Sequence, residues 1–263
     1  MDKMVVGGKR KKPSSSKTTK KVKNPQKQSK KLIVASQIDK KPSSGVYLST
    51  EFKSKSLVIS EDGLTATGHK GYTSVLSNYP IIEGSYYFEV KILNPKTPLP
   101  FPNVAPHIRI GFATSEFKSE LPLGCDTRSY AIRDKDGEIM ENGSNSKYAR
   151  KFNPGDIVGC LIFLKPPKPI FFEKKDEDDR NVGSKALFFI NGENFEIAFE
   201  NLREGFYYVG VSLYMHAKAK VNFGPNFEIP PNLEGLEEEI KNFKPYCSLG
   251  EEPSRYKEIR IFN

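Results

Sequence analysis

The chain predicts an all-β protein built as an antiparallel sandwich. From about residue 45, short apolar runs bounded by turn residues follow one another closely. Many closely spaced strands with few helical periods are the signature of a two-sheet sandwich. The aromatic supply is 18 Phe and 12 Tyr with no Trp, and with Val and Ile these residues suit a pleated, half-buried surface. Tyr86, Phe88, Val90 and Ile92 alternate with Tyr87, Glu89 and Lys91, the period of a strand with one polar face.

The first expected strands are Gly45–Ser49, Ser56–Ser60, Leu64–Thr67 and Tyr72–Ser77, each set off by Gly, Asp or Ser. Ser85–Ile92 is the alternating strand. Asn94–Pro106 carries Pro95, Pro98, Pro100, Pro102 and Pro106, which cannot donate to a ladder, so this stretch is an extended surface loop. His107–Ala113 and Ser129–Arg133 follow. Asp156–Leu164 is apolar on both faces, as a central strand is. Pro166-Pro167-Lys168-Pro169 and Glu173–Arg180 form a second polar excursion. Ala186–Ile190 and Phe195–Phe199 flank Asn191-Gly192, a hairpin signal because both turn positions tolerate positive φ. Tyr207–Tyr214 and Lys218–Phe223 end the series. Beyond them, Leu233, Leu236, Ile240 and Phe243 are spaced to share one helix face, with Glu237–Glu239 early and Lys241 late, an order that matches the helix dipole. The expected reading is a short C-terminal helix closing the sandwich.

Charge divides the chain. Residues 1–31 hold 12 Lys or Arg against the single acid Asp2, and the rest holds 29 basic and 31 acidic residues. The whole excess of positive charge is therefore in the tail. Rich in Lys, Ser, Gln and Pro, the tail has little to bury and cannot offset the entropy of ordering, so disorder is expected. The expected organisation is a disordered basic tail at 1–44, a sandwich at 45–230 and an extension with a short helix at 231–263. Lys9, Arg10, Lys11 and Lys12, with Lys20, Lys21 and Lys23, read as a nuclear-import patch. A solubilising tail without an address is the alternative. The same lysines suit nonspecific DNA phosphate contact, but no aromatic residue interrupts the run for base stacking.

No apolar stretch reaches the length of a membrane helix, and the N-terminus lacks the apolar segment of a secretory signal. Cys125, Cys160 and Cys247 are an odd, widely spaced set, which fits neither a zinc site nor a disulfide framework and suits a reduced, intracellular compartment. His69, His107 and His216 are isolated in sequence, and no nucleophile elbow, phosphate loop or dinucleotide fingerprint is present. The acidic run Asp176–Asp179 reads as a solvated loop. These features predict neither enzyme activity nor a cofactor or metal.

Several segments together carry a family resemblance. Gly71-Tyr72-Thr73-Ser74-Val75, Gly84-Ser85-Tyr86-Tyr87-Phe88-Glu89-Val90 and Arg109-Ile110-Gly111-Phe112-Ala113 follow the order of a SPRY domain. Gly155-Asp156-Ile157-Val158-Gly159, Phe188-Phe189-Ile190-Asn191-Gly192-Glu193 and Gly210-Val211-Ser212-Leu213-Tyr214 continue it. Pro122-Leu123-Gly124-Cys125-Asp126, leading to Ser129–Gly137, and the closing Asn222-Phe223-Gly224-Pro225-Asn226-Phe227 resemble the Ash-two/Bre-two family of COMPASS-type histone methyltransferase subunits. The resemblance spans roughly residues 45–230.

It implies a non-catalytic nuclear scaffold that binds a β-propeller subunit and helps activate a SET-domain methyltransferase toward the fourth lysine of histone H3. It further implies that an acidic peptide of the propeller docks on Tyr72, Arg109, Pro122, Cys125, Arg133 and Lys135. Arg133 and Lys135, two apart on an expected strand, would point the same way, and an arginine grips a carboxylate through parallel hydrogen bonds. A plain solvated loop is the alternative for these two, because Asp134 and Asp136 adjoin them. Arg109 could equally pair with a core or rim carboxylate. Cys125 stands where the family usually has an aromatic residue, typically Tyr. Animal relatives carry N-terminal zinc-binding and winged-helix segments, whereas the basic tail is what precedes the sandwich here. The family's C-terminal helix docks a Dpy-thirty-type dimer. The stretch after Tyr246 is short of a full apolar docking face, so that partner is not expected. An adaptor outside chromatin, RNA-associated or Ran-binding-like, is the rival reading, because fold does not fix function.

Overall fold

A computed structural model describes residues 45–95, 103–168 and 180–251. The basic tail with its import residues, most of the proline-rich loop, Asp176–Asp179 and the last twelve residues lie outside the described residues.

Two sheets carry the described fold. The first runs in the order β1 (Leu48–Lys53), β4 (Tyr72–Ser77), β13 (Tyr207–Tyr214), β6 (His107–Thr114), β7 (Ser129–Arg133), β8 (Ile139–Glu141) and β9 (Ser144–Ser146). The second runs β12 (Glu193–Glu200), β11 (Lys185–Ile190), β10 (Ile157–Leu164), β5 (Gly84–Leu93), β14 (Lys218–Asn222), β3 (Thr65–Thr67) and β2 (Val58–Ile59). Neighbours along both paths are antiparallel. Where β14 stops opposite Glu89, β15 (Lys244–Pro245) takes over the exposed edge of β5 by parallel pairing with Tyr86 and Tyr87.

Alternation dictates the core. Phe88 and Val90 of β5, Val158, Cys160 and Ile162 of β10 and Phe188 of β11 face Ile108, Ile110 and Phe112 of β6 and Val209 and Val211 of β13 in one buried cluster. Phe88 and Phe112 meet edge to face across the sheets at 5.6 Å, a geometry the ring quadrupoles favour. As expected, β10 is buried along its whole length, flanked by β5 and β11. The Asn191-Gly192 hairpin forms with φ of 53° and 79°, joining Ile190 to Glu193.

Three differences from the sequence reading have physical causes. Most of the polar face assigned to β5 is not solvated: Tyr87 and Glu89 are 0% and 1% exposed, while Lys91 stays half-buried. Leu233, Leu236, Ile240, Phe243 and Phe227 cover that face in a second cluster with Tyr87, Leu161, Phe163, Leu187 and Phe189. Glu89 instead anchors the covering chain, accepting the Glu228 and Ile229 backbone N–H groups at 2.8 and 2.9 Å and Asn222 Nδ2 at 3.0 Å. A buried carboxylate is tolerated when its lone pairs are filled this way. The four expected helix-face residues do gather on one cluster, but the helix itself, α1, is only Glu238–Lys241. Gly235 at φ 80° breaks the helical path before it, and the β15 pairing ends it. Finally, β8, β9 and β15 were not expected. The first two flank Asn142-Gly143, with φ of 48° and 76°, the same hairpin signal in a polar context.

The chain after residue 230 also reaches the main core. Tyr246 and Leu249, on a 3-10 helix at Tyr246–Glu251, are 0% and 3% exposed within it. The Tyr246 hydroxyl bonds Ser77 Oγ at 2.5 Å.

Candidate functional site

The site is built on the outer face of the first sheet. Since Val75, Ile110 and Val211 face the core, their strand neighbours Ser74, Arg109 and Ser212 face outward. Pairing aligns Ser74, Ser212, Arg109 and Arg133 in one row across β4, β13, β6 and β7. The next row holds Tyr72, Tyr214 and His107.

This row holds the connection between β6 and β7 against the sheet. Ser74 Oγ donates to the Leu121 carbonyl at 2.6 Å and lies 2.7 Å from Ser212 Oγ. Ser212 Oγ accepts the Leu123 N–H at 2.9 Å. Arg109 Nη1 donates to the Leu123 carbonyl at 2.8 Å. Leu123 and Phe117 fill the space beneath, against Leu76, Ala113, Ala131 and Tyr208. The loop then turns at Gly124, whose φ of 79° places a notional Cβ 2.3 Å from Met140 Cβ. Only glycine fits there.

Arg109 is 8% exposed. Its guanidinium sits 5.2 Å from the Tyr72 ring centre and Nη1 reaches Cys125 Sγ at 3.4 Å, while Nε is buried without a hydrogen-bond partner among the described residues. A carbonyl and a thiol hold it, so the carboxylate pairing open from the sequence does not occur among the described residues. Tyr72 is half-buried and packs on Tyr214 at 4.9 Å; burial pushes its hydroxyl up and Arg109 opposes the shift. Cys125 is exposed and Pro122 half-buried, and the Cys125 N–H bonds the Pro122 carbonyl at 3.2 Å. Tyr72, Arg109, Pro122 and Cys125 therefore form one patch.

The two remaining residues behave differently. Arg133 shares the face of Arg109, but its guanidinium is occupied: Nε and Nη2 grip Asp136 at 2.8 and 2.7 Å, and Nη2 also bonds Glu138. The Asp136 hydrogen bond raises the Arg133 pKa. Lys135 is not on a strand, because β7 ends at Arg133 and a turn follows. The expectation that the two cations project alike rested on a strand through Lys135 and loses that basis, since alternation holds only within a strand. Lys135 is exposed and has no salt bridge among the described residues.

Sequence reasoning missed Tyr214, Ser74, Ser212 and Glu138. Ser212 interrupts an otherwise apolar strand, a signal that a polar group is needed there, whereas Ser74 sits among other hydroxyl residues of β4 and gave no such sign. His107, isolated in sequence, stacks with Tyr214 at 6.2 Å and lies 3.2 Å from Asp134, whose carboxyl is pushed up by burial. Among the described residues, no group of three or more His, Cys, Asp or Glu side chains is placed to hold a metal, and no helix is long and apolar enough to cross a membrane.

Residues 85–180 match the SPRY domain family. The chain is 30% identical over 214 residues to the Set1/Ash2 histone methyltransferase complex subunit ASH2 of Drosophila melanogaster, covering 72% of this chain and 37% of that protein. It is 28% identical over 215 residues to the subunit ash-2 of the same-named complex in Caenorhabditis elegans, covering 68% and 36%. With the Set1 complex component ash2 of Schizosaccharomyces pombe it shares 27% over 237 residues, covering 67% and 35%. The chain thus spans a little over a third of the length of these curated relatives.

Proposed function

Since the sandwich of this chain is an Ash2-like SPRY domain, we propose that it serves as a non-catalytic scaffold and activator in a histone H3 lysine-four methyltransferase complex. Its work is to hold an acidic segment of a β-propeller partner and so help a SET-domain subunit act. The relatives are named as subunits of such complexes, which supports the coarse assignment. The finer one rests on Arg109.

Arg109 is a nearly buried guanidinium held against the Tyr72 ring, with no carboxylate partner among the described residues. A desolvated cation without a counter-charge favours an arriving anion, and the low local dielectric strengthens that attraction. Tyr72, Tyr214 and Pro122 supply apolar surface beside it. Arg133, already held by Asp136 and Glu138, and the exposed Lys135 lie at the margin of the patch and do not anchor the segment.

Residues 1–31 would carry the protein into the nucleus and could touch DNA phosphates without sequence preference. Deleting them is expected to leave thermal unfolding unchanged and shift the protein toward the cytoplasm, as seen by fluorescence microscopy. Continued nuclear enrichment would remove the import role.

The decisive experiment is a pull-down from the native organism with the intact chain and an Arg109→Lys variant, read by mass spectrometry. The intact chain is expected to capture a SET-domain protein together with WD-repeat propellers, and the variant to lose the propellers. Capture of RNA-associated or Ran-linked partners instead, with no SET-domain protein, would establish an adaptor outside chromatin.

A further inference from the structure

Arg109 and Arg133 are direct partners across β6 and β7. Like charges set opposite each other on one sheet face repel. The chain supplies its own remedy one turn further on. Asp136 holds Arg133 through a two-bond fork at 2.8 and 2.7 Å, Glu138 bonds the same Nη2, and Asn145 of β9 donates to Glu138. The turn fixes both acids: the Arg133 N–H reaches the Glu138 carbonyl at 2.9 Å, and the Asp136 carboxylate accepts the Glu138 N–H at 3.3 Å. The side chains of Arg133, Asp136 and Glu138 are 25%, 33% and 18% exposed. Water screens these contacts only in part.

A fork of this kind is how a guanidinium would receive a carboxylate from a ligand. At Arg133 that arrangement is already filled from within the chain. One cation faces two anions, so this corner of the surface carries no positive excess to attract an acidic segment.

We propose that Asp136 and Glu138 are built-in competitors for Arg133 that set how acidic a partner segment must be to dock. This rests on the reading that an acidic segment binds at Arg109. A segment with a single carboxylate offers Arg133 nothing it lacks. A run of several carboxylates, anchored first at Arg109, can share or displace the internal pair. The acids thereby confer specificity by repulsion, which discriminates between partners as effectively as attraction does. They also hold down the repulsion between Arg109 and Arg133 in the free protein, so relieving the competition should have opposite effects on binding and on stability.

The test uses the full chain and a fluorescein-labelled peptide of repeating Glu and Tyr, read by fluorescence anisotropy at low and high salt. Asp136→Asn combined with Glu138→Gln is expected to tighten binding roughly three- to tenfold and to steepen its salt dependence. The same variant should melt at a lower temperature. Adding Arg133→Ala should abolish the gain. Arg109→Lys, checked for folding by circular dichroism, and Cys125→Glu, at an exposed position, report on the site itself. If either weakens binding while the acid-to-amide variant binds like the unmodified chain, the competition is overturned and the docking site stands. If neither variant, nor the acid-to-amide pair, alters binding, or if the peptide binds none of them, docking and competition fall together.

Discussion

Single side chains decide what this surface can hold. Arg109 is the strongest case, because its position over Tyr72 is fixed by a loop carbonyl rather than by a counter-ion. Cys125, beside it, is exposed at the position where the family resemblance implies an aromatic ring. Cys125→Tyr is therefore expected to tighten capture of an acidic, aromatic peptide by about 1 kcal/mol while leaving the melting temperature unchanged; isothermal titration calorimetry checks the first and a thermal melt the second. Tyr87 presents the opposite situation. Its ring is fully buried and its hydroxyl has no hydrogen-bond partner among the described residues. Gly159, where a Cβ would lie 2.2 Å from that oxygen, makes room for it. Burial pushes the hydroxyl pKa up, with Glu89 adding to the effect. Removing an unpaired buried hydroxyl relieves its desolvation, so Tyr87→Phe should stabilise the fold by about 1 kcal/mol in urea denaturation. A loss of stability of that size would overturn this reading of the hydroxyl.

At the scale of elements, the connection between β6 and β7 is held in place by two serines. Ser74 and Ser212 sit on the outer face of β4 and β13, and together they satisfy the loop at Leu121 and Leu123. Ser212→Ala leaves the Leu123 N–H without its acceptor inside the fold. The expected cost is about 1–3 kcal/mol in stability, with weaker peptide binding because Pro122 and Cys125 lose their register over Arg109. Denaturation and anisotropy measured on one sample separate the two effects. Strands were legible wherever burial imposed a period. β4, β7 and β13 match their expected bounds, since both termini are set by turn residues. β8 and β9 escaped notice because each is only three residues long, too short to show a period, and β9 is polar and exposed throughout; the Asn142-Gly143 turn was the one local sign of them. The Arg133–Lys135 pairing misled because alternation says nothing about where a strand ends.

For the whole molecule, the segment after residue 230 is a structural part of the sandwich. Ile240 lies in the outer cluster, and Tyr246 and Leu249 lie in the main core. β15 also shields the backbone edge of β5 that β14 leaves open. Ending the chain after Pro230 would uncover Tyr87, Leu161, Phe163 and Phe189 together. Each large apolar side chain returned to water costs about 1.5–3 kcal/mol. The truncated chain is therefore expected to lose cooperative unfolding and to bind a hydrophobic dye, while deletion of residues 1–31 does neither. Near-ultraviolet circular dichroism and dye fluorescence make the comparison.

The sequence alone determined the fold class, most strand positions, the hairpin at Asn191-Gly192 and the likeness to the Ash2 type of SPRY domain. Each of these depends on patterns local in the chain: alternation, turn chemistry and runs of family-like residues. Tertiary structure decided which cations are available. Arg109 and Arg133 are equivalent by composition, yet one is held by a carbonyl and a thiol while the other is held by two carboxylates. The covering of Tyr87 and Glu89 was likewise settled by chain returning from more than a hundred residues away. Availability and burial depend on what packs from distant parts of the chain, and no local period records that.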